Sequence, residues 1–230
     1  MKKGKLWVIS LGGSRLAPSG NEINYRFIKK FESLVEKHPS KKFVVVTGGG
    51  QTAREYIKAL KRLGKRTMEQ SRAGIAITRF HAGFLSRIFG KKANEILPKN
   101  MKKVHDLLKK NQVVFCGALR YKKKQTSDGT AASLSAFLRA PFINITDIRG
   151  MYTSNPKTSK KARFIKRISW KAFYEIASRK AFKPGQHFVL DQDAAKTIME
   201  EKIPTYIVGS LSDVERIIKN KPFKGSLISG

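Results

Sequence analysis

Cysteine is nearly missing from this chain: Cys116 is the only one in 230 residues. That excludes an internal disulfide framework and any cysteine-based zinc module. Histidine is scarce as well, and His38, His81, His105 and His187 are scattered with no ligand spacing. No apolar run approaches the roughly 18 residues of a membrane span. The opening Met1-Lys2-Lys3-Gly4-Lys5, followed by Leu6-Trp7-Val8-Ile9, has the charge order of an export signal. Arg15 interrupts it, however, and no small-residue cleavage site follows. The expectation is a soluble, cytoplasmic protein without a membrane partner. Acidic residues are the deepest deficit, with 16 Asp+Glu against 48 Lys+Arg and a formal net charge of +32. Such a charge favours polyanions: phosphorylated metabolites, or nucleic acid held non-specifically. A basic bias of the whole proteome would produce it equally well.

Apolar residues make up 40% of the chain, enough for a real core at this length. Short β-branched runs recur at Leu6–Ser10, Phe43–Thr47, Val113–Cys116, Pro141–Ile145, Pro204–Val208 and Ser226–Ile228. They are apolar on both faces, as the strands of a parallel sheet buried on both faces must be. Helical stripes separate them. Phe27, Phe31, Leu34 and Val35 fall at i, i+4, i+7 and i+8; Ala53, Ile57, Leu60 and Leu63 form a second stripe, and Val104, Leu107 and Leu108 a third. The segments 128–139, 169–179, 194–202 and 212–219 read as further helices. Alternating strands and helices predict an α/β fold, a three-layer αβα sandwich around a mostly parallel sheet. Two densely basic stretches, Arg120–Gln125 and Asn155–Arg163, read as loops.

In such a sheet ligands bind beyond the carboxyl ends of the strands, where four turns stand out. Ser10-Leu11-Gly12-Gly13-Ser14 closes the first strand, and Thr47-Gly48-Gly49-Gly50-Gln51 joins the second to a helix expected near Thr52. Glycines let backbone approach a ligand closely, and the helix start offers free N–H groups to an anion. Arg54 adds a fork of donors. Tight turns alone explain one such loop; two after consecutive strands favour phosphate binding. Neither is a P-loop or a dinucleotide fingerprint. The third turn, Thr126-Ser127-Asp128-Gly129-Thr130, opens a helix. Thr126 or Ser127 serves as its cap, and Asp128 either complements the helix dipole or handles charge at a transferring phosphoryl group. The fourth, Thr146 to Pro156, offers hydroxyls, the Tyr152 ring and the Asn155 amide, groups suited to a nucleoside.

Taken together these turns resemble the amino acid kinase superfamily, most closely its archaeal-type uridylate (UMP) kinases. The resemblance runs from Val8 to Gly230. Its most specific part is Gly48-Gly49-Gly50-Gln51-Thr52-Ala53-Arg54, which is similar to the branch's Gly-Gly-Gly-x-x-Ala-Arg. Ile9–Ser14, Gly74-Ile75-Ala76-Ile77-Thr78-Arg79, Thr126-Ser127-Asp128, Tyr152–Lys157 and Val189–Lys196 match further segments in order. The resemblance implies a single kinase-like domain over 1–230, with a nucleoside monophosphate part near 1–140 and an ATP part near 141–230. It implies ATP contacts at Gly13, Ser14, Gly50, Arg54, Thr146, Tyr152 and Asn155, and UMP contacts at Gly49, Thr126, Ser127 and the Ser71 position. Asp128 with Arg54 and one of Lys122, Lys123 and Lys124 (Lys124 for preference) would manage charge during transfer. Mg²⁺ is expected to arrive with ATP, since the sequence shows no metal ligand set. Homohexamers are usual in the family.

Several positions depart from the pattern. An acid expected near Ser71 is absent, with Glu69 close by, and the loop Leu119–Gln125 is longer and cationic. Arg149 and Asn155 stand where relatives carry Asp, and Ser10 stands where many members carry lysine. The branch that phosphorylates isoprenoid phosphates uses a histidine near the second motif, and none stands there. The alternatives are a kinase with a different phosphate or carboxylate acceptor, or a nucleic-acid-binding regulator on the same fold.

Overall fold

The computed structural model describes residues 5–18, 22–121, 126–154, 156, 158–179 and 190–230. Its centre is a seven-stranded sheet. In chain order the elements are β1 (Leu6–Leu11), α1 (Gly13–Leu16), α2 (Tyr25–Glu36), β2 (Lys42–Thr47), α3 (Gly50–Arg62), α4 (Thr67–Phe89), α5 (Met101–Lys110) and β3 (Val113–Cys116). There follow α6 (Ser127–Leu138), β4 (Phe142–Ile145), β5 (Met151–Tyr152), β6 (Phe164–Ile165), β7 (Arg167–Ile168), α7 (Trp170–Ser178), α8 (Gln192–Glu200), β8 (Thr205–Val208), α9 (Leu211–Ile218) and β9 (Gly225–Ile228). Strand order in the sheet is β3-β2-β1-β4-β8-β9-β7, and β5 and β6 form a separate antiparallel ribbon. All pairings in the large sheet are parallel except β8 with β9.

The strands are mostly apolar on both faces because both faces are covered. In β1, Leu6 and Val8 point into a core closed by α5, α6, α7 and α8. Trp7, Ile9 and Leu11 point into another, closed by α1, α2, α4 and α9. This is the three-layer sandwich expected from the sequence. β1 pairs with β2 on one side and β4 on the other, so the sheet runs unbroken past residue 140.

The long helix α4 is the main element that periodicity did not outline; only its stretch 74–79 stood out, through the family resemblance. Its carboxyl half buries Ala82, Leu85 and Phe89 while Phe80 and Ile88 stay exposed, so no single apolar stripe marks it. α3 begins at Gly50 rather than Thr52, which puts Arg54 in the second turn.

Candidate active site

The two glycine turns meet at the carboxyl ends of β1 and β2. A Cβ on Gly13 would stand 2.5 Å from the Gly48 carbonyl oxygen and 2.6 Å from the Gly49 carbonyl carbon. One on Gly50 would stand 2.5 Å from the Gly13 carbonyl carbon and 2.7 Å from the Ser14 nitrogen. Gly50 also has a φ of +60°, a conformation only glycine adopts without strain. Backbone therefore packs on backbone at this junction. The helix starts add to the effect. Asn24, Asn100, Thr126, Ser169, Asp191 and Ser210 cap α2 and α5–α9 with their side chains. α1 and α3 begin at Gly12 and Gly49 with no side-chain cap. The first-turn N–H groups of α3 have no intrahelical partner, so the junction presents donors and a positive dipole end to an anion.

Asp128 stands beside this junction in the first turn of α6. Its Oδ1 accepts from Ser10 Oγ at 2.6 Å and Asn144 Nδ2 at 3.0 Å, so β1 and β4 both hold it. Asp191, which caps α8, accepts from the Thr126 hydroxyl, from Gly129 N–H at 3.1 Å and from Ala194 N–H at 2.7 Å. The Thr126–Gly129 turn is thereby tied to α8. Burial pushes the Asp128 carboxyl from 3.8 up to about 7; the nearby Asp191 charge pushes the same way, against the hydrogen bonds from Ser10 and Asn144. A buried carboxylate beside uncapped helix N-termini makes this junction the candidate charge-handling site.

Two hollows flank the junction. One, of about 240 Å³, is lined by Gly49 and Gly50, by Ser71, Gly74, Ile75 and Thr78 of α4, and by Ala118, Arg120, Tyr121, Thr126, Ser127 and Thr130. The other, of about 730 Å³, lies over the ends of β4 and β8 between Asp147–Arg149 and Gly209, Ser210, Asp213 and Arg216 of the α9 side.

This arrangement is shared with known proteins. The sequence profile of the amino acid kinase family matches residues 5–209. The chain belongs to the amino acid kinase family. This amino acid kinase is 35% identical over 216 residues to a uridylate kinase of Archaeoglobus fulgidus, covering 93% of this chain and 95% of the relative. Against the crystal structure of a uridylate kinase from the same organism the TM-score is 0.80, at 33% identity, covering 97% of this chain and 99% of the other. A UMP kinase structure from Ureaplasma parvum, at 18% identity, shares the fold with a TM-score of 0.79.

The kinase brings Gly13, Ser14, Gly49, Gly50, Thr126, Ser127 and Asp128 together around the junction. Ser127 Oγ lies 3.3 Å from where a Cβ on Gly48 would be. Ser71 lines the smaller hollow, with its hydroxyl donated back to Thr67 O at 2.9 Å. Arg54 is exposed at the rim, its Nε–H donated to Gln51 Oε1 at 2.9 Å. Thr146 directly follows β4, and Tyr152 packs edge-on against Phe164 with ring centroids 5.4 Å apart. Lys124 and Asn155 lie outside the described residues, as do Lys122, Lys123 and Lys157. Sequence reasoning did not assign Asn144 or Asp191 a role. A polar residue inside the apolar run Phe142–Ile145 was the readable sign of the first, and the capping position before Ala194-Ala195 of the second.

Among the described residues, no group of three or more His, Cys, Asp or Glu side chains is placed to hold a metal. The donor set fits a Mg²⁺ carried on nucleotide phosphates, with Asp128 as the junction carboxylate that would meet it. No helix among the described residues is long and apolar enough to cross a membrane.

Proposed function

We propose that this chain transfers the γ-phosphoryl group of ATP to UMP, forming UDP and ADP. The observation that carries this reading is the backbone contact between the Gly13 and Gly50 turns, which sets two uncapped helix starts side by side beside Asp128. The family and the uridylate kinases it resembles over nearly their whole length support the same acceptor. They favour a phosphotransferase over a binding protein built on its fold.

In this reading the part near 1–140 holds UMP and the part near 141–230 holds ATP. UMP occupies the smaller hollow, with Gly49, Ser71, Thr126 and Ser127 among its contacts. ATP spans Gly13, Ser14, Gly50 and Arg54 to Thr146, Tyr152 and Asn155. A phosphate oxygen of UMP attacks the γ-phosphorus; the bond from that phosphorus to the bridging oxygen of ADP breaks, and its electron pair stays on ADP. The acceptor is already ionised, so no general base is needed, and catalysis is placement plus charge neutralisation. Backbone N–H groups of the junction face the transferring group, and Arg54 with Lys124 neutralises its equatorial oxygens. Bound Mg²⁺, met by Asp128, would supply charge neutralisation to the ATP phosphates. Asp128, fixed by Ser10 and Asn144, orients the incoming cations. Activity should fall as pH drops below about 7 and Asp128 takes up its proton.

A homohexamer is part of the same proposal. Tyr56 on α3 and Leu63 just after it, with Phe80 and Ile88 on α4, are exposed apolar side chains suited to subunit contact. The reading is tested by following ATP consumption with UMP, CMP, GMP, AMP and dUMP, with Asp128→Asn as control. Turnover with UMP that is lost in the variant supports it; turnover only with another acceptor refutes the acceptor assignment.

A further inference from the structure

The smaller hollow has two walls from different parts of the chain. Ser71, Gly74, Ile75 and Thr78 of α4 form one, and Ala118, Arg120 and Tyr121 after β3 form the other. Arg79 ties them together without lining the cavity. Its Nε–H donates to Ala118 O at 3.0 Å and its Nη2–H to Leu119 O at 2.8 Å, so the guanidinium fork grips two consecutive carbonyls. The neighbouring Thr78 Oγ1 accepts from Ala118 N–H at 3.0 Å and donates to Ile75 O at 2.8 Å. Gly117 completes the seam: a Cβ there would stand 2.6 Å from backbone atoms of Thr78 and Arg79, so only glycine permits this approach. One helical turn, 75–79, thus fixes three consecutive residues, 117–119, immediately before Arg120 and Tyr121, which line the hollow.

We propose that Arg79 is a positioning residue that sets the width of the acceptor cavity and, through that width, the preference for pyrimidine over purine monophosphates. The inference rests on the acceptor reading given above. At about 240 Å³ the cavity is below the roughly 300–1,000 Å³ of most small-molecule pockets. A wall that cannot retreat excludes the larger purine ring by steric conflict, which is discrimination by repulsion rather than by added contacts. Releasing the wall loosens the fit to uracil and admits the purine. A purely structural role for Arg79 would lower stability or weaken all ligands together; a width-setting role changes their ratio.

The test measures dissociation constants of UMP, CMP, GMP, AMP and ATP by calorimetry for the wild type, Arg79→Met, Arg79→Lys and Gly117→Ala. Arg79→Met, which removes both bonds to the wall, should weaken UMP about tenfold, with GMP and AMP unchanged or tighter. The pyrimidine preference then falls at least tenfold while ATP affinity holds. Arg79→Lys, which keeps the charge but not the fork, should fall between. Gly117→Ala, which wedges the seam from the other side, should shift the ratio the same way. An unchanged UMP-to-GMP ratio in both Arg79 variants, or ATP weakened in step with UMP, would overturn the inference. Wild type that binds purine monophosphates as tightly as pyrimidine ones would overturn it too. Wild type that binds CMP but not UMP would instead refute the acceptor assignment, and the ratio would then be read with CMP.

Discussion

Asp128→Asn should abolish activity and at the same time stabilise the protein, by an amount that depends on pH. In the native state burial holds the carboxyl at about 7, against 3.8 for the free group. The unfolded chain therefore ionises first. As pH rises from about 4 to 7 the native state loses stability relative to the unfolded one, and above about 7 the loss is complete. The difference in titration point corresponds to a ceiling of about 4 kcal/mol. Solvent reaching a half-buried carboxylate reduces that to about 1–2 kcal/mol. Asparagine keeps an Oδ1 to accept from Ser10 and Asn144, so the substitution removes the charge and keeps the two hydrogen bonds. For a chain of this size the gain corresponds to about 3–6 °C in Tm. Thermal unfolding of nucleotide-free wild type and variant between pH 5 and 8.5 reads it directly. The variant's advantage should widen up to about pH 7 and stay level beyond. A variant less stable than wild type at pH 8 would refute the reasoning, because the carboxylate would then be a net anchor of the fold rather than a charge held at a cost for function.

Other consequences follow from the same geometry. Ser10→Ala or Asn144→Leu removes a hydrogen bond that lowers the Asp128 titration point, so the acid limb of the pH–rate profile should move to higher pH; a limb that stays put or moves down would contradict this. Gly50→Ala forces a side chain into a left-handed residue against the Gly13 backbone, and should cost at least about 1–2 kcal/mol and cut turnover by more than about 100-fold, which denaturant titration and steady-state rates would measure. Cys116 is fully buried with its thiol pushed up to about 12, so it should resist alkylation until the protein unfolds; mass spectrometry after iodoacetamide would show whether labelling tracks unfolding. Protomers carrying +32 repel one another, so the proposed hexamer should assemble more readily as salt cuts the screening length to about 3 Å at 1 M, and light scattering that gives one unchanged mass at low and high salt would count against it.

The parts of this fold that could be read in the sequence are those where one local signal decides the outcome. β1, β2, β3, β4 and β8 are apolar on both faces because each is covered on both faces, and that pattern needs no knowledge of partners. The glycine turns were equally plain, since Gly13 and Gly50 sit where backbone meets backbone. α4 was hidden because half of it is buried and half exposed, which blurs any stripe. The setting of Asp128 was hidden for a different reason. Ser10, Asn144 and Asp191 come from a strand, another strand and a helix start far apart in the chain, and only the sheet order brings them to one carboxylate. Arg79 illustrates the same limit: it ends the stretch Gly74–Arg79 that resembles a family helix, but its grip on Ala118 and Leu119 exists only in the folded chain.

The most direct test of the account follows the phosphorus itself. The protein would be incubated with ATP labelled at the γ-phosphoryl group and with UMP, and the products separated by chromatography. The account predicts label in the β-phosphate of UDP, one for each ADP formed, and none with Asp128→Asn. Label released as inorganic phosphate, or carried by another acceptor while UMP is left unchanged, would contradict it.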